Sequence, residues 1–312
     1  MDQYRGETVV NATGLAAMAV TLLIWVGFLL SLRAQSQSPL TPTDLALLRF
    51  GLPALCFMPW LLRHRAGIGR IRPGHGLMLL LGGLPFFYLL SWGSSLAPVA
   101  HAGALVPGTA PLFVTGLAVL LFGEPLPRRR LLGLLVILGG VLLLLGNGLL
   151  ETHSGYWRGH LAFLGASLLW AFYTLGLRVL GIGALPATAL LCSLSSLGLL
   201  LLMGLGLVES TLLSVRWAEL WPYLLTQGLG AGIVGGFSYG VAIRQLGAEK
   251  TAALGSFTPA LAALAAIPVL GETLPVSTLG GVSLIMLGVL LASGVLARRQ
   301  AAVLPGSAGV SS

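Results

Sequence analysis

Charge is scarce in this chain. Only 8% of its 312 residues are Asp, Glu, Lys or Arg, whereas 56% are hydrophobic. A soluble domain carries about a quarter charged residues. The chain therefore lacks the polar surface to face water on all sides, and no extended polar segment hides a soluble domain. Cysteine is nearly absent: Cys56 and Cys192 both sit in apolar runs, and there is no CxxC, no Cys/His cluster and no disulfide framework. They read as small buried hydrophobes. No HExxH and no nucleophile–base pair with useful spacing occurs, which argues against an enzyme. Ser94 and Ser95 near His101 are too weak a signal to reverse that. Neither a metal nor a cofactor is expected.

The net charge of +8 does not mark a nucleic-acid binder, because the basic residues sit in short loops between apolar runs, with no basic domain. They read as topology signals. The string Gly230-Ala231-Gly232-Ile233-Val234-Gly235 fits GxGxxG, but no strand precedes it, so a dinucleotide site is rejected. The sequon at Asn11 falls on a predicted cytoplasmic tail and carries no weight. The first apolar run lacks a basic start, so it is not a cleavable signal.

What the sequence has in abundance is apolar runs of spanning length, about 20 residues each. Ten are predicted, near 12–33, 44–62, 75–96, 98–122, 129–149, 158–180, 186–208, 219–246, 248–270 and 275–297. The fold class is thus an all-α integral membrane protein. With the N-terminus in the cytoplasm, 13 of the 17 Lys and Arg residues fall inside and three outside (Arg33, Arg158, Arg216), with Arg49 within a span. Residues 1–11 and 298–312 are read as cytoplasmic tails, and the membrane as a bacterial inner membrane.

An internal repeat organises the spans. Gly14, Trp25 and Arg33 align with Gly159, Trp170 and Arg178 at an offset of 145. Pro111, Gly123-Glu124, Leu126-Pro127 and Gly133 align with Pro259, Gly271-Glu272, Leu274-Pro275 and Gly281 at an offset of 148. Two repeats follow, 12–149 and 158–297. Each has five spans, an odd number, so the second is inverted. Inverted repeats place a substrate site at their interface near the midplane, served by rocking of the halves.

The Trp-bearing first helix of each half and the Pro…Gly-Glu fourth helix resemble the EamA branch of the drug/metabolite transporter superfamily. The paired signatures are Ala104-Leu105-Val106-Pro107-Gly108-Thr109-Ala110-Pro111 with Gly123-Glu124, and Ala253-Leu254-Gly255-Ser256-Phe257-Thr258-Pro259 with Gly271-Glu272. The resemblance covers about residues 12–297. It implies export or exchange of small metabolites and names no substrate.

Trp25 and Trp170 lie mid-span, whereas Trp usually sits at the interfacial belt. They read as stacking walls of a cavity in preference to packed core, with Tyr173 one turn on. Tyr88 and Trp92, four apart, and the later Tyr239 read as further cavity rings or as core. Pro107, Pro111 and Pro259 are expected to break their helices and act as hinges, with Thr109 and Thr258 beside the freed carbonyls. Arg49 is expected to snorkel, with a substrate carboxylate or Asp44 as the alternative partner. His101 and Arg244 are candidate gates. Glu124 and Glu272 read as structural helix ends.

No carboxylate lies near a span centre, which disfavours proton antiport through a buried acid. A neutral, zwitterionic or aromatic metabolite, such as an amino acid, suits rings better than a polycation. The rival reading is a non-transporting scaffold or lipid-handling protein. The partners expected are a small molecule and lipid, in a chain that can act as a monomer.

Overall fold

A computed structural model describes residues 12–63, 73–150, 155–181 and 184–293. Every regular element among them is helical, as the apolar runs require: in hydrocarbon the backbone must satisfy its own hydrogen bonds. In chain order the helices are α1 (Ala12–Gln35), α2 (Pro42–Ala46), α3 (Leu52–Arg63), α4 (Pro73–Leu81), α5 (Leu84–Leu96), α6 (Val99–Phe122) and α7 (Arg128–Leu150). They continue with α8 (Tyr156–Leu180), α9 (Ala184–Gly204), α10 (Trp217–Tyr223), α11 (Gly235–Leu246), α12 (Ala248–Gly255), α13 (Thr258–Leu270) and α14 (Val276–Ser293). A π-helical turn, Leu47–Gly51, joins α2 to α3, and a longer one, Leu224–Val234, joins α10 to α11.

Eight helical stretches of the described residues are long and apolar enough to cross a membrane. They correspond to the first seven predicted spans and the last. The other two predicted spans are helical but divided. The stretch 217–246 changes winding twice, and the stretch 248–270 is interrupted at Ser256-Phe257. Six of the arginines used to orient the chain (Arg5, Arg65, Arg70, Arg72, Arg298 and Arg299) lie outside the described residues.

Side-chain contacts define the two ends of the bundle. His101 at the start of α6 bonds His160 at the start of α8, so these helices run parallel. Arg33, at the end of α1, bonds the carbonyls of Ser94 and Ser95 beside the start of α6. These groups share one end, the Arg33 end. The last residues of α6 and α8 lie at the other, the Arg178 end. There Gly14 of α1 abuts Leu246 and Gln245. A helix of 24 residues separates the ends by about 36 Å, enough to cross a bilayer.

Lipid-soluble helices gain no hydrophobic drive from packing on one another, so close fit matters more. The α7–α14 pair shows how the sequence provides it. A Cβ on Gly140 would lie 2.8 Å from the Gly281 carbonyl oxygen, and one on Gly288 2.8 Å from that of Gly133. The seam is symmetric: Gly133 and Gly140 match Gly281 and Gly288 at the 148-residue offset. The Gly228–Gly240 series is a ridge only in part. Gly228 and Gly232 approach the Leu48 and Arg49 carbonyls, whereas Gly236 has nothing within 4 Å. At the Arg33 end, Asp44 ties two loops together. It accepts the Thr41 N–H (2.7 Å), closing a capping box, and also the Ser210 hydroxyl and the N–H and hydroxyl of Thr211.

Candidate functional site

The two tryptophans nucleate two aromatic sites. Trp25 of α1 packs on Tyr239 of α11, with ring centroids 5.2 Å apart. Trp170 of α8 packs on Phe86 of α5 at 5.1 Å and on Tyr173 at 5.0 Å. In each case a Trp from the first helix of one segment of the repeat meets a ring from the other segment. Both tryptophans keep part of their surface free, and Trp170 is 37% exposed.

Trp25 and Tyr239 line a cavity of about 180 Å³, together with Pro107, Gly255 and Pro259. This brings together four residues singled out from the sequence, the α1 indole, a ring from the 217–246 stretch and the α6 and α13 prolines, beside Gly255. Ile285, Met286 and Val289 of α14 and Ser256 line the cavity as well. A cavity lined by rings and aliphatic groups favours a ligand with apolar or π surface.

The proline helices differ from one another. α6 runs unbroken from Val99 to Phe122 through both Pro107 and Pro111, contrary to the expected break. A proline removes one backbone hydrogen bond, and the remaining turns and packing hold the rod. The α12–α13 stretch does break, and Pro259 sits in the first turn of α13, where its missing N–H costs nothing. Thr109 does not face the cavity. It is fully buried, and its hydroxyl donates to the Leu105 carbonyl or to Ser167, whose own hydroxyl reaches the Val106 carbonyl at 2.8 Å. Thr258 likewise bonds the Gly255 carbonyl, bridging the break.

Tyr173 is buried against Gly82, at the point where α4 gives way to α5. Tyr88 bonds Thr43 at 3.1 Å and sits edge-on to Phe87 rather than beside Trp92. Trp92 is 51% exposed, on the outer surface. Arg49 pairs with neither Asp44 nor the interface. It donates to the Ala231 carbonyl at 2.8 Å and lies over the rings of Phe28 and Phe50, so the two π-helical turns meet at this cation. Asp44 is already satisfied by Thr41, Ser210 and Thr211. Arg244 is exposed near the Arg178 end.

His101 belongs to a relay that the sequence did not reveal. Its Nδ1 lies 2.8 Å from His160 Nε2 and its Nε2 lies 3.1 Å from the Thr278 hydroxyl. It therefore does not pair with Ser94 or Ser95. His101 also lines a second cavity, of about 350 Å³, at the Arg33 end, with Arg33, Tyr156, Glu272 and Thr278. Gln227, buried in the long π-helical turn, was missed as well. It donates to the Ser31 hydroxyl at 2.7 Å. A lone amide within an apolar run was the available signal.

Eight apolar helices of spanning length, an aromatic-lined cavity and polar groups buried among the helices define a multi-pass membrane protein with room for a small molecule. The family comparison supplies the particular group: residues 12–146 and 157–294 each match the model of the EamA-like transporter family. The chain belongs to the EamA-like transporter family, and is a transporter of the drug/metabolite type, set in a lipid bilayer and acting on a small molecule. It is similar to a Bacillus subtilis (strain 168) protein described as "Uncharacterized transporter YyaM", at 26% identity over 286 residues, covering 89% of this chain and 93% of that one. A solved structure described only as "Crystal structure of protein" superposes with a TM-score of 0.60 at 21% identity. It covers 93% of this chain and 99% of its own, a likeness of fold.

Proposed function

We propose that this protein is an alternating-access exporter or exchanger of small neutral, zwitterionic or aromatic metabolites, amino acids among them. It works as ten spans in two inverted five-helix halves, with both termini cytoplasmic, in a bacterial inner membrane. The two segments matched by the family model support the repeat. The observation that carries the reading is the crossed aromatic pairing, Trp25 with Tyr239 and Trp170 with Phe86, each of which sets a ring of one segment against a ring of the other. The Trp25 cavity gives the substrate an apolar, π-rich surface, and the α12–α13 break beside it supplies a hinge.

The test is counterflow in proteoliposomes with pooled labelled amino acids and other small metabolites. Saturable exchange is expected in the wild type, with loss in Trp25→Ala combined with Trp170→Ala while the variant keeps its thermal melt. Undiminished exchange in that variant refutes the aromatic site. Absence of exchange of every pool by folded wild type favours the scaffold reading.

A further inference from the structure

The repeat aligns Arg33 with Arg178 and Glu124 with Glu272, and the structure pairs them crosswise. Arg33 of α1 bonds Glu272, beyond α13, at 3.1 Å. Arg178 of α8 meets Glu124, beyond α6, at 2.5 Å. Each arginine ends the first long helix of one segment. Each glutamate follows the left-handed glycine that caps a helix of the other, Gly123 at φ 65° and Gly271 at φ 67°. The two bridges sit at opposite ends of the bundle, the first at the Arg33 end and the second at the Arg178 end.

We propose that these bridges are paired latches, one at each mouth of the transport path, broken in turn as the protein opens to one side and then the other. The proposal rests on the carrier reading above. Each bridge joins the two segments that must separate for its end to open, so opening either mouth breaks one bridge and leaves the other in place.

The latches are unequal. Arg33 and Glu272 are 23% and 10% exposed; Arg178 and Glu124 are 62% and 30% exposed. Arg33 adds hydrogen bonds to the Ser94 and Ser95 carbonyls at 3.1 and 2.9 Å, and Glu272 accepts the Val99 N–H at 2.9 Å. Arg178 has instead the Phe122 ring, 6.0 Å away, and its contact with Glu124 lies off hydrogen-bond geometry. Water screens an exposed pair more than a half-buried one. The Arg178 end is therefore the easier to open, and the protein rests closed at the Arg33 end.

The test is pulsed electron–electron spin-label distance measurement, which needs no substrate. In a background with Cys56 and Cys192 changed to serine, labels go at exposed positions across each mouth. Ser36→Cys with Thr273→Cys reports the Arg33 end, and Pro125→Cys with Val179→Cys the Arg178 end. The wild type is expected to show the broader distribution at the Arg178 end. Glu272→Gln is expected to lengthen the distances at the Arg33 end and narrow those at the other, and Glu124→Gln to do the reverse. Arg178→Glu with Glu124→Arg, at the end where the paired side chains hold no further backbone groups among the described residues, is expected to restore the closed distribution that either single reversal loses, which separates a latch from a general loss of fold. Distances at both ends unchanged, or lengthened together, in variants with wild-type melting would overturn the proposal. Counterflow fails or succeeds separately, so a faulty latch and a faulty carrier reading are distinguishable.

Discussion

Replacing Gly140 with alanine tests the packing account at a single methyl group. In an exposed helix the change stabilises by about 0.8–1 kcal/mol, since glycine is the poorer helix former. At Gly140 the new Cβ would stand 2.7 Å from Ile285 Cγ1, 2.8 Å from the Gly281 carbonyl oxygen and 2.9 Å from the Ile285 nitrogen. Two of these three are backbone atoms of α14 and cannot rotate away, so the α7–α14 pair must spread. Overpacking costs typically about 1–3 kcal/mol. That outweighs the propensity gain over most of the range, for a net loss of up to roughly 2 kcal/mol. Gly139, one residue earlier, has nothing within 4 Å of its Cβ position and takes the propensity gain alone. The assay is a thermal melt of each variant in one detergent. Gly140→Ala should melt below the wild type and Gly139→Ala at or above it. Equal melting of the two variants would refute the claim that α7 and α14 touch through this glycine seam.

Asp44→Ala should lower stability by about 1.5–3 kcal/mol, the scale for losing hydrogen bonds to a charged group, because Thr41, Ser210 and Thr211 all lose their acceptor. Limited proteolysis should then cut within 205–216, and an unchanged digest would argue against the clamp. Gly82→Ala would set a Cβ 2.5 Å from Tyr173 Cγ, so it should displace that ring from Trp170. The expected outcome is reduced counterflow with altered emission of Trp170 in a variant whose other tryptophans are replaced by Phe, and unchanged values of both would count against coupling between the α4–α5 junction and the Trp170 site.

Much of the architecture was legible because lipid imposes a simple rule. Spans must be apolar and helical, so the eight long ones follow in order from runs of Leu, Val, Ala and Gly, whereas the other two predicted spans are divided. The repeat was legible through residues that apolar drift does not produce, namely Trp25 and Trp170, Pro111 and Pro259, and the two Gly-Glu pairs. Which face of a helix packs was not legible. Helices apolar on every side carry no periodic signal separating lipid from neighbour, so Trp92 could not be told from a cavity ring although it faces outward. Pairings between distant residues were also hidden. Arg33, Arg178, Glu124 and Glu272 were each visible in register, yet only the crossed geometry reveals them as two bridges. The same holds for His160 and Thr278, which acquire meaning from their contact with His101. The π-helical winding at 224–234 had no sequence signal beyond its glycines.

The central claim is that one site is reached from both sides of the membrane, though not through an open pore. Its most direct test is labelling of Gly255→Cys in a background with Cys56 and Cys192 changed to serine. The new Cβ would lie 3.6 Å from the Trp25 ring, an ordinary contact at the cavity wall. An impermeant thiol reagent would be applied to vesicles of each orientation, with a thiol-bearing dye sealed inside. The account predicts modification from either face while the enclosed dye stays unreacted. Modification from one face only, or reaction of the dye through the protein, would contradict it.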